Sequence, residues 1–326
     1  MKYAKIAGLG KYLPPKILTN HDLEKIVDTS DEWITTRTGI KTRHIASKKD
    51  SASTLALPAA KLALKRAGLK PKDLDLIIVA TITPDRQFPS TACYLQDYLK
   101  ADTVACFDIA AACSGFIYAL VAAQGLIESG IFKNALVVGS EVLTKITDWD
   151  DRSTCVLFGD GAGAAVLTSG RKKSLLSSSL GGDGSYGELL LLPAGGSRIP
   201  ASKETVKNKL HFVKMKGNEL FRLAVRIMVN AAESALEKAH LKSNDVDILA
   251  PHQANIRIIN AVASRLKLTE DKVYLNIGRY GNMSSASSAV ALCEAWEEGK
   301  IKKDSIVVLD AFGGGLVWGS LVIKWV

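Results

Sequence analysis

The chain has 326 residues, and its 42 Lys and Arg against 33 Asp and Glu give a formal net charge of +9. At 47% hydrophobic and 23% charged it has an ordinary globular composition, which excludes a disordered, collagen-like or low-complexity chain. The length fits about two domains or two fused halves, and the basic excess calls for an acidic partner: nucleic acid, an anionic membrane, a phosphorylated cofactor or an acidic protein.

The opening MKYAKIAGLGKYLPP carries Lys5 and Lys11, which leave no apolar stretch of signal-peptide length. Ser53–Ala67 reads as an amphipathic helix closed by Gly68, and Asp75–Thr81 as a buried strand. Thr103–Asp108 reads as a strand that turns at Ala112-Cys113-Ser114-Gly115. The uncharged run Ile109–Ile127 is long enough to be weighed as a membrane span. Its Ser114, Gly115, Tyr118, Gln124 and Gly125, and the lack of other membrane signals, favour a central helix buried on all sides. Asn134–Ser140 and Gly163–Thr168 read as further strands. Gly159–Gly163 lacks the spacing of a dinucleotide loop and runs into a strand rather than a helix. The pattern breaks near Gly170–Ser179, then resumes with strands at Asp247–Ala250, Lys272–Asn276 and Ser305–Asp310 and a second uncharged helix at Ser285–Cys293. This alternation predicts an α/β fold with mostly parallel sheets.

The later elements repeat the earlier ones in order. Asp75–Thr81 corresponds to Asp247–Ala250, Thr103–Asp108 to Lys272–Asn276, and Asn134–Ser140 to Ser305–Asp310. Each half has an uncharged helix at the same place, so the two helix starts are expected to meet near a pseudo-twofold axis. The five cysteines (Cys93, Cys106, Cys113, Cys155, Cys293) are scattered without a CxxC pair, as expected of reduced thiols in a cytoplasmic protein. No metal-ligand spacing, nucleotide-triphosphatase loop or zincin motif occurs.

Cys113 carries the strongest chemical signal. It lies where a strand turns into a helix, and a thiol there feels the positive end of the helix dipole, which lowers its pKa. A small buried hydrophobe is the plain alternative. His252 follows a strand end, where ligands of α/β sheets gather. Asn282 occupies the place in the second half that Cys113 occupies in the first. Gly313-Gly314-Gly315 follows the last strong strand; such a loop can aim N–H groups at a ligand, or simply turn tightly.

Set in order, these residues make the sequence resemble the β-ketoacyl-acyl carrier protein synthase III family, the initiating condensing enzymes of bacterial fatty-acid synthesis. The resemblance spans essentially the whole chain: TSDEWITTRTGI (Thr29–Ile40), FPSTAC (Phe88–Cys93), DIAAACSGF (Asp108–Phe116), FGDGAGA (Phe158–Ala164), GNELFRLAV (Gly217–Val225), PHQANIRI (Pro251–Ile258), YGNMSSAS (Tyr280–Ser287) and AFGGGLVWGS (Ala311–Ser320). It implies the thiolase fold, two related halves (1–172 and 173–326) in a five-layered α-β-α-β-α arrangement, usually as a homodimer.

The resemblance also implies roles. Cys113 would take an acyl group from acyl-CoA, most simply acetyl-CoA, as a thioester. Malonyl-acyl carrier protein would then lose CO₂ and condense with it, giving acetoacetyl-acyl carrier protein in a ping-pong sequence without a permanently bound cofactor. His252 and Asn282 would stabilise the enolate, and the N–H groups of Cys113 and Gly314 would form an oxyanion hole. Thr29, Trp33, Arg37, Arg152, Gly217, Phe221, Ala254 and Asn255 would contact CoA, with Trp33 and Arg152 on opposite faces of the adenine. Phe88, Leu143 and Phe158 would shape the acyl pocket, Phe88 reaching into the partner's. Two positions depart from the family pattern: Met283 after Gly-Asn, and Lys41 where arginine is expected.

Between Arg198 and Arg226 stand eight basic and two acidic residues. Beside a CoA tunnel they suit an acidic carrier protein, with Arg222, Arg226, Arg257 and Arg265 as docking residues. The alternatives are a same-fold synthase using another acyl starter in secondary metabolism, and an inactive carrier-binding paralogue. Neither nucleic acid nor a membrane is an expected partner.

Overall fold

The computed structural model describes residues 2–326. β1 (Tyr3–Tyr12) opens the chain. A hairpin of β2 (Lys16–Thr19) and β3 (Thr42–Ile45) brackets α1 (Asn20–Leu23) and α2 (Asp31–Thr38). Then follow α3 (Ala52–Ala67), β4 (Leu76–Ala80), α4 (Thr91–Leu99), β5 (Ala105–Ile109), α5 (Gly115–Glu128), β6 (Asn134–Val142), α6 (Arg152–Cys155) and β7 (Asp160–Gly170). The rest runs β8 (Leu175–Gly182), β9 (Leu190–Leu191), α7 (Lys203–Lys207), β10 (Lys214–Met215), α8 (Gly217–Lys238), β11 (Ile248–Pro251), α9 (Ile256–Arg265), α10 (Ile277–Tyr280), α11 (Ser285–Glu297), β12 (Ile306–Gly313) and β13 (Val317–Lys324).

Two sheets organise these elements. The first has the order β1-β7-β6-β4-β5 and the second β11-β12-β13-β8. α3 and α4 pack on the outer face of the first sheet, burying Leu55, Ala59, Ala63 and Leu95 against Ile77, Val79 and Val166. α5 and α11 lie between the sheets with Phe116, Leu120, Leu292 and Leu309. α8 and α9 cover the second sheet through Ala224, Met228, Val262 and Val308. The result is five layers, α-β-α-β-α. Ile109–Ile127 forms the end of β5 and most of α5, whose Phe116, Ile117, Leu120 and Ala123 are fully buried. Among the described residues no helix is long and apolar enough to cross a membrane.

The local signals explain the edges of the elements. α3 starts at a Ser51–Thr54 capping box and ends at Gly68, which takes the left-handed conformation (φ 68°) that glycine adopts without strain. α11 lies hard against the first sheet: a side chain on Gly139 would meet the Ser285 carbonyl oxygen at 2.7 Å.

Two expectations need correction. The sheets are mixed rather than mostly parallel: β4 is parallel to β5 and β6, and β11 to β12, but β1–β7, β6–β7, β12–β13 and β13–β8 are antiparallel. Lys272–Asn276 is not a strand. It makes one bridge, Val273 to Leu249, and then bends into α10. The Gln253 side chain takes over the missing ladder. Its amide nitrogen donates to the Tyr274 carbonyl (3.1 Å) and its oxygen accepts from the Asn276 and Ile277 amides (both 3.0 Å).

Candidate active site

Cys113 sits on a single 3-10 turn, Ala112–Ser114, between β5 and α5. Ala112 before it is held at φ 44°, a left-handed conformation that costs a non-glycine residue about 1 kcal/mol or more. The sharp turn lets the thiol project from the start of a buried helix, as in a nucleophile elbow. Gly313 at the end of β12 makes room for it: a side chain there would lie 2.6 Å from the Cys113 amide nitrogen. The expected lowering of the thiol pKa is not what the site shows. Full burial pushes it up to about 12, and the nearby Glu141 carboxylate works in the same direction. The Ser284 hydroxyl and the Cys113 amide act the other way without overcoming burial. The resting group is therefore a protonated thiol.

His252 follows β11. Its N–H donates to the Asp310 carbonyl (2.8 Å) and its carbonyl accepts from the Ala254 amide (2.9 Å), which fixes the backbone beneath the ring. The ring is 2% exposed, and Nδ1 has no hydrogen-bond partner. Burial lowers its pKa to about 3. The imidazole is thus neutral at physiological pH, with one N–H to donate.

Asn282 is held by its backbone, which donates to the Leu157 carbonyl (2.9 Å) and accepts from the Gly159 amide (3.0 Å). Its Oδ1 accepts from the Ser284 amide at 2.8 Å. That bond decides the amide's orientation and leaves Nδ2 as a free donor.

Cys113, His252 and Asn282 line one cavity of about 550 Å³. Trp33, Arg37, Gly217, Phe221, Ala254 and Asn255 line it too, as do Arg222 and Arg257. Asn255 caps α9 and donates from Nδ2 to the Arg37 carbonyl at 3.0 Å, which ties α2 to α9 across the cavity wall. The cavity reaches Gly313 rather than Gly314, its neighbour in the loop.

Other sequence candidates fall elsewhere. Thr29 and Arg152 do not line the cavity. Arg152 instead lies 4.9 Å over the Trp33 ring, with Arg37 at 5.2 Å from the same ring. Leu143 and Phe158 are buried with Val213, in contact with the cavity-lining Leu157 and Leu190. Phe88 is 85% exposed and does not line the cavity. Arg226 and Arg265 are exposed and outside the cavity. Met283 turns away into a buried cluster with Ala286, Val290 and Leu13, and Lys41 is on the surface, so neither departure alters the cavity wall.

Sequence reasoning passed over several residues here. Leu190, Met215, Asn218 and Phe312 line the cavity from distant parts of the chain. Glu141, at the end of β6, is fully buried close enough to Cys113 to raise its pKa. The only available cue was an acidic residue at the end of an apolar run, in NALVVGSEV.

Comparisons with known proteins identify the family and the fold. Residues 107–184 match the family profile described as 3-Oxoacyl-[acyl-carrier-protein (ACP)] synthase III, and residues 236–325 match its C-terminal counterpart. A Beta-ketoacyl-[acyl-carrier-protein] synthase III of Caldanaerobacter subterraneus is 58% identical, over 99% of this chain and 98% of the relative. The crystal structure of 3-oxoacyl-[acyl-carrier-protein] synthase III from Aquifex aeolicus superposes with a TM-score of 0.92 at 52% identity, over 99% of this chain and 100% of that one. The priming β-ketosynthase of the R1128 polyketide pathway superposes with a TM-score of 0.93 at 34% identity, over 99% and 97%.

Proposed function

The chain belongs to the 3-oxoacyl-[acyl-carrier-protein] synthase III family, the condensing acyltransferases of fatty-acid synthesis with the thiolase fold, and on that premise we propose that it joins an acyl-CoA starter, acetyl-CoA first among candidates, to malonyl-acyl carrier protein through an acyl-Cys113 intermediate. The observation that carries this reading is the convergence of Cys113, His252 and Asn282 on one cavity that also reaches Trp33, Arg37, Gly217 and Phe221. That cavity offers a thiol at one part and aromatic and cationic groups for a nucleotide at another.

In this mechanism the Cys113 sulfur adds to the acyl carbonyl, and the Cys113 N–H holds the oxyanion, while Gly314, the second donor expected from sequence, does not line the cavity. CoA departs, leaving the thioester. Malonyl-acyl carrier protein then loses CO₂, and the electron pair released attacks the acyl carbon, giving a β-ketoacyl-acyl carrier protein. No proton has to be abstracted from the malonyl group. A neutral His252 and the free Nδ2 of Asn282 are therefore suited to donate to the developing enolate oxygen. Kinetics of this kind are ping-pong. Arg222, Arg226, Arg257 and Arg265 would dock the acidic carrier protein, and Trp33, Arg37 and Arg152 would hold the nucleotide of CoA. The reading requires no permanently bound cofactor. The exposed Phe88 and the unpaired edge of β5 suit a homodimer, and CoA thioesters suit a cytoplasmic enzyme. Residues 1–172 would supply the nucleophile and residues 173–326 the two donors.

Likeness to a polyketide priming synthase keeps a second reading in view, a starter other than acetyl. One experiment addresses both. Intact-mass measurement after mixing the protein with a panel of acyl-CoAs is expected to show one acyl adduct, absent from C113A, and the favoured acyl group names the starter. No adduct with any acyl-CoA overturns the proposal.

A further inference from the structure

The two side chains assigned to the enolate oxygen are fixed to different parts of the fold. The His252 amide is bonded to Asp310 on β12, in the second sheet. The Asn282 backbone is bonded to Leu157 and Gly159, in the first half of the chain. The spacing of the two therefore depends on what joins the end of β11 to the segment that leads into Asn282. Resting on the roles given to His252 and Asn282 above, we propose that Gln253, which does not itself line the cavity, is the positioning residue that sets the distance between them.

The Gln253 side chain is fully buried and all its hydrogen-bonding capacity is used. Nε2 donates to the Pro251 carbonyl (2.9 Å) and the Tyr274 carbonyl (3.1 Å). Oε1 accepts from the Asn276 and Ile277 amides, both at 3.0 Å. An amide side chain has two hydrogens and two acceptor positions, so nothing is left over. Turning the amide over would set its oxygen against two carbonyls and its nitrogen against two N–H groups. The orientation is thus fixed, and so is the backbone on either side.

The four bonds run in two directions. The one to Pro251 closes the turn that carries His252, the neighbour of Gln253 in the chain. The other three reach Tyr274, Asn276 and Ile277. The bridge between Val273 and Leu249 ends before α10, and Gln253 carries the connection to the second sheet from there. Asn276 and Ile277 open α10, a single turn closed by the Gly281 amide donating to the Ile277 carbonyl (2.9 Å). Asn282 is the next residue.

α10 transmits a shift at its start to its end because its flanks are held. The Glu294 carboxylate of α11, 2% exposed, accepts from Arg279 Nη2 (2.8 Å), Tyr280 Oη (2.7 Å) and Asn276 Nδ2 (3.0 Å). The Thr42 hydroxyl donates to the Arg279 carbonyl (2.7 Å) and the Lys41 amide to the Gly278 carbonyl (3.0 Å). Without the Gln253 amide, two buried N–H groups and two buried carbonyls lose their partners, and the backbone has to move to satisfy them. The Cys113 turn is packed on Gly313 of β12, away from this segment. The donors are therefore displaced relative to each other while the nucleophile stays in place.

The test separates the two half-reactions in Q253L, which keeps the bulk of the side chain and removes all four bonds. Acylation of Cys113 at saturating acyl-CoA is followed by intact mass. Condensation is followed as a single turnover of the pre-acylated enzyme with malonyl-acyl carrier protein. The maximal condensation rate is expected to fall about tenfold to a hundredfold, the loss that follows a displacement of about 1 Å in a reacting geometry. The acylation rate and the half-saturating concentration of malonyl-acyl carrier protein are expected to stay within about twofold of wild type. A merely structural role lowers both rates together, in proportion to the folded enzyme. A loss in condensation less than about fivefold greater than the loss in acylation overturns the proposal. Should Q253L fail to fold, judged by its thermal melt, Q253E decides by the same criterion. It keeps an acceptor for Asn276 and Ile277 but turns its second oxygen on the Pro251 and Tyr274 carbonyls. A wild-type enzyme that takes no acyl group from any acyl-CoA is a different failure. It overturns the acyl-Cys113 reading, and this proposal with it, before any variant is compared.

Discussion

A methyl group on Gly313 would lie 2.6 Å from the Cys113 amide nitrogen and 2.9 Å from the Ala112 side chain. The end of β12 and the Ala112–Ser114 turn are thus packed backbone against backbone. G313A is expected to displace Cys113 and its N–H. Acylation by acyl-CoA should fall by about 10²–10³, the typical loss when an oxyanion donor is misplaced, with overpacking costing on the order of 1–3 kcal/mol in stability. Stopped acylation assays and a melting curve check both, and unchanged acylation would refute the close-packing argument.

Asn282 is oriented by the Ser284 amide on its Oδ1. N282A should leave the acyl adduct on Cys113 intact and reduce condensation by about 10²–10³. N282D should be worse than N282A, because one carboxylate oxygen keeps the Ser284 bond while the other faces a developing negative charge. Intact mass and product formation separate the two half-reactions. A defect in acylation equal to that in condensation would contradict the assignment.

His252 has a pKa of about 3 in the fold, below the value of about 6.5 for an unfolded histidine. The unfolded chain therefore takes up this proton first as pH falls, and stability is lost from about pH 6.5 downward until the folded value is reached. The melting temperature of wild type is expected to drop more steeply than that of H252Q between about pH 6.5 and 4.5. Glu141, raised by burial, acts in the opposite direction in its own window but is common to both proteins. Parallel curves would show that the buried ring does not couple to folding.

Arg222 and Arg257 line the cavity, while Arg226 and Arg265 stand exposed near it on the same two helices. Among the described residues none of the four makes a salt bridge. With malonyl-acyl carrier protein, kcat/KM is expected to fall steeply as salt rises, and R226E with R265E should flatten that dependence. Malonyl-CoA should respond weakly to salt. Equal salt sensitivity for both substrates would remove the docking role.

The parts of the fold that could be read from sequence were those where local pattern and tertiary role coincide. Leu76–Ala80 and Asn134–Val142 are buried on both faces, so their apolar runs identify them. Cys113 stood out because a strand-turn-helix placement has chemical meaning without neighbours. Lys272–Asn276 misled because its apolar alternation is that of a strand, whereas a distant glutamine, Gln253, occupies its backbone groups. β1 and β13 were missed, as their glycines and polar residues dilute the apolar pattern. Glu141, buried at the end of β6, matters only through what folding places around it. No spacing along the chain announces that.

Arg152 and Arg37 both rest on the Trp33 ring. A guanidinium on an indole occupies the surface that the flat base of CoA would need. Under the proposed function, ligand entry is then an exchange of one stacked plane for another rather than the filling of an empty slot. The measured affinity at Trp33 becomes the difference between two stacking energies. Trimming Arg152 weakens the incumbent as well as the clamp, so its effect on binding will understate what the cation contributes once the base is in place.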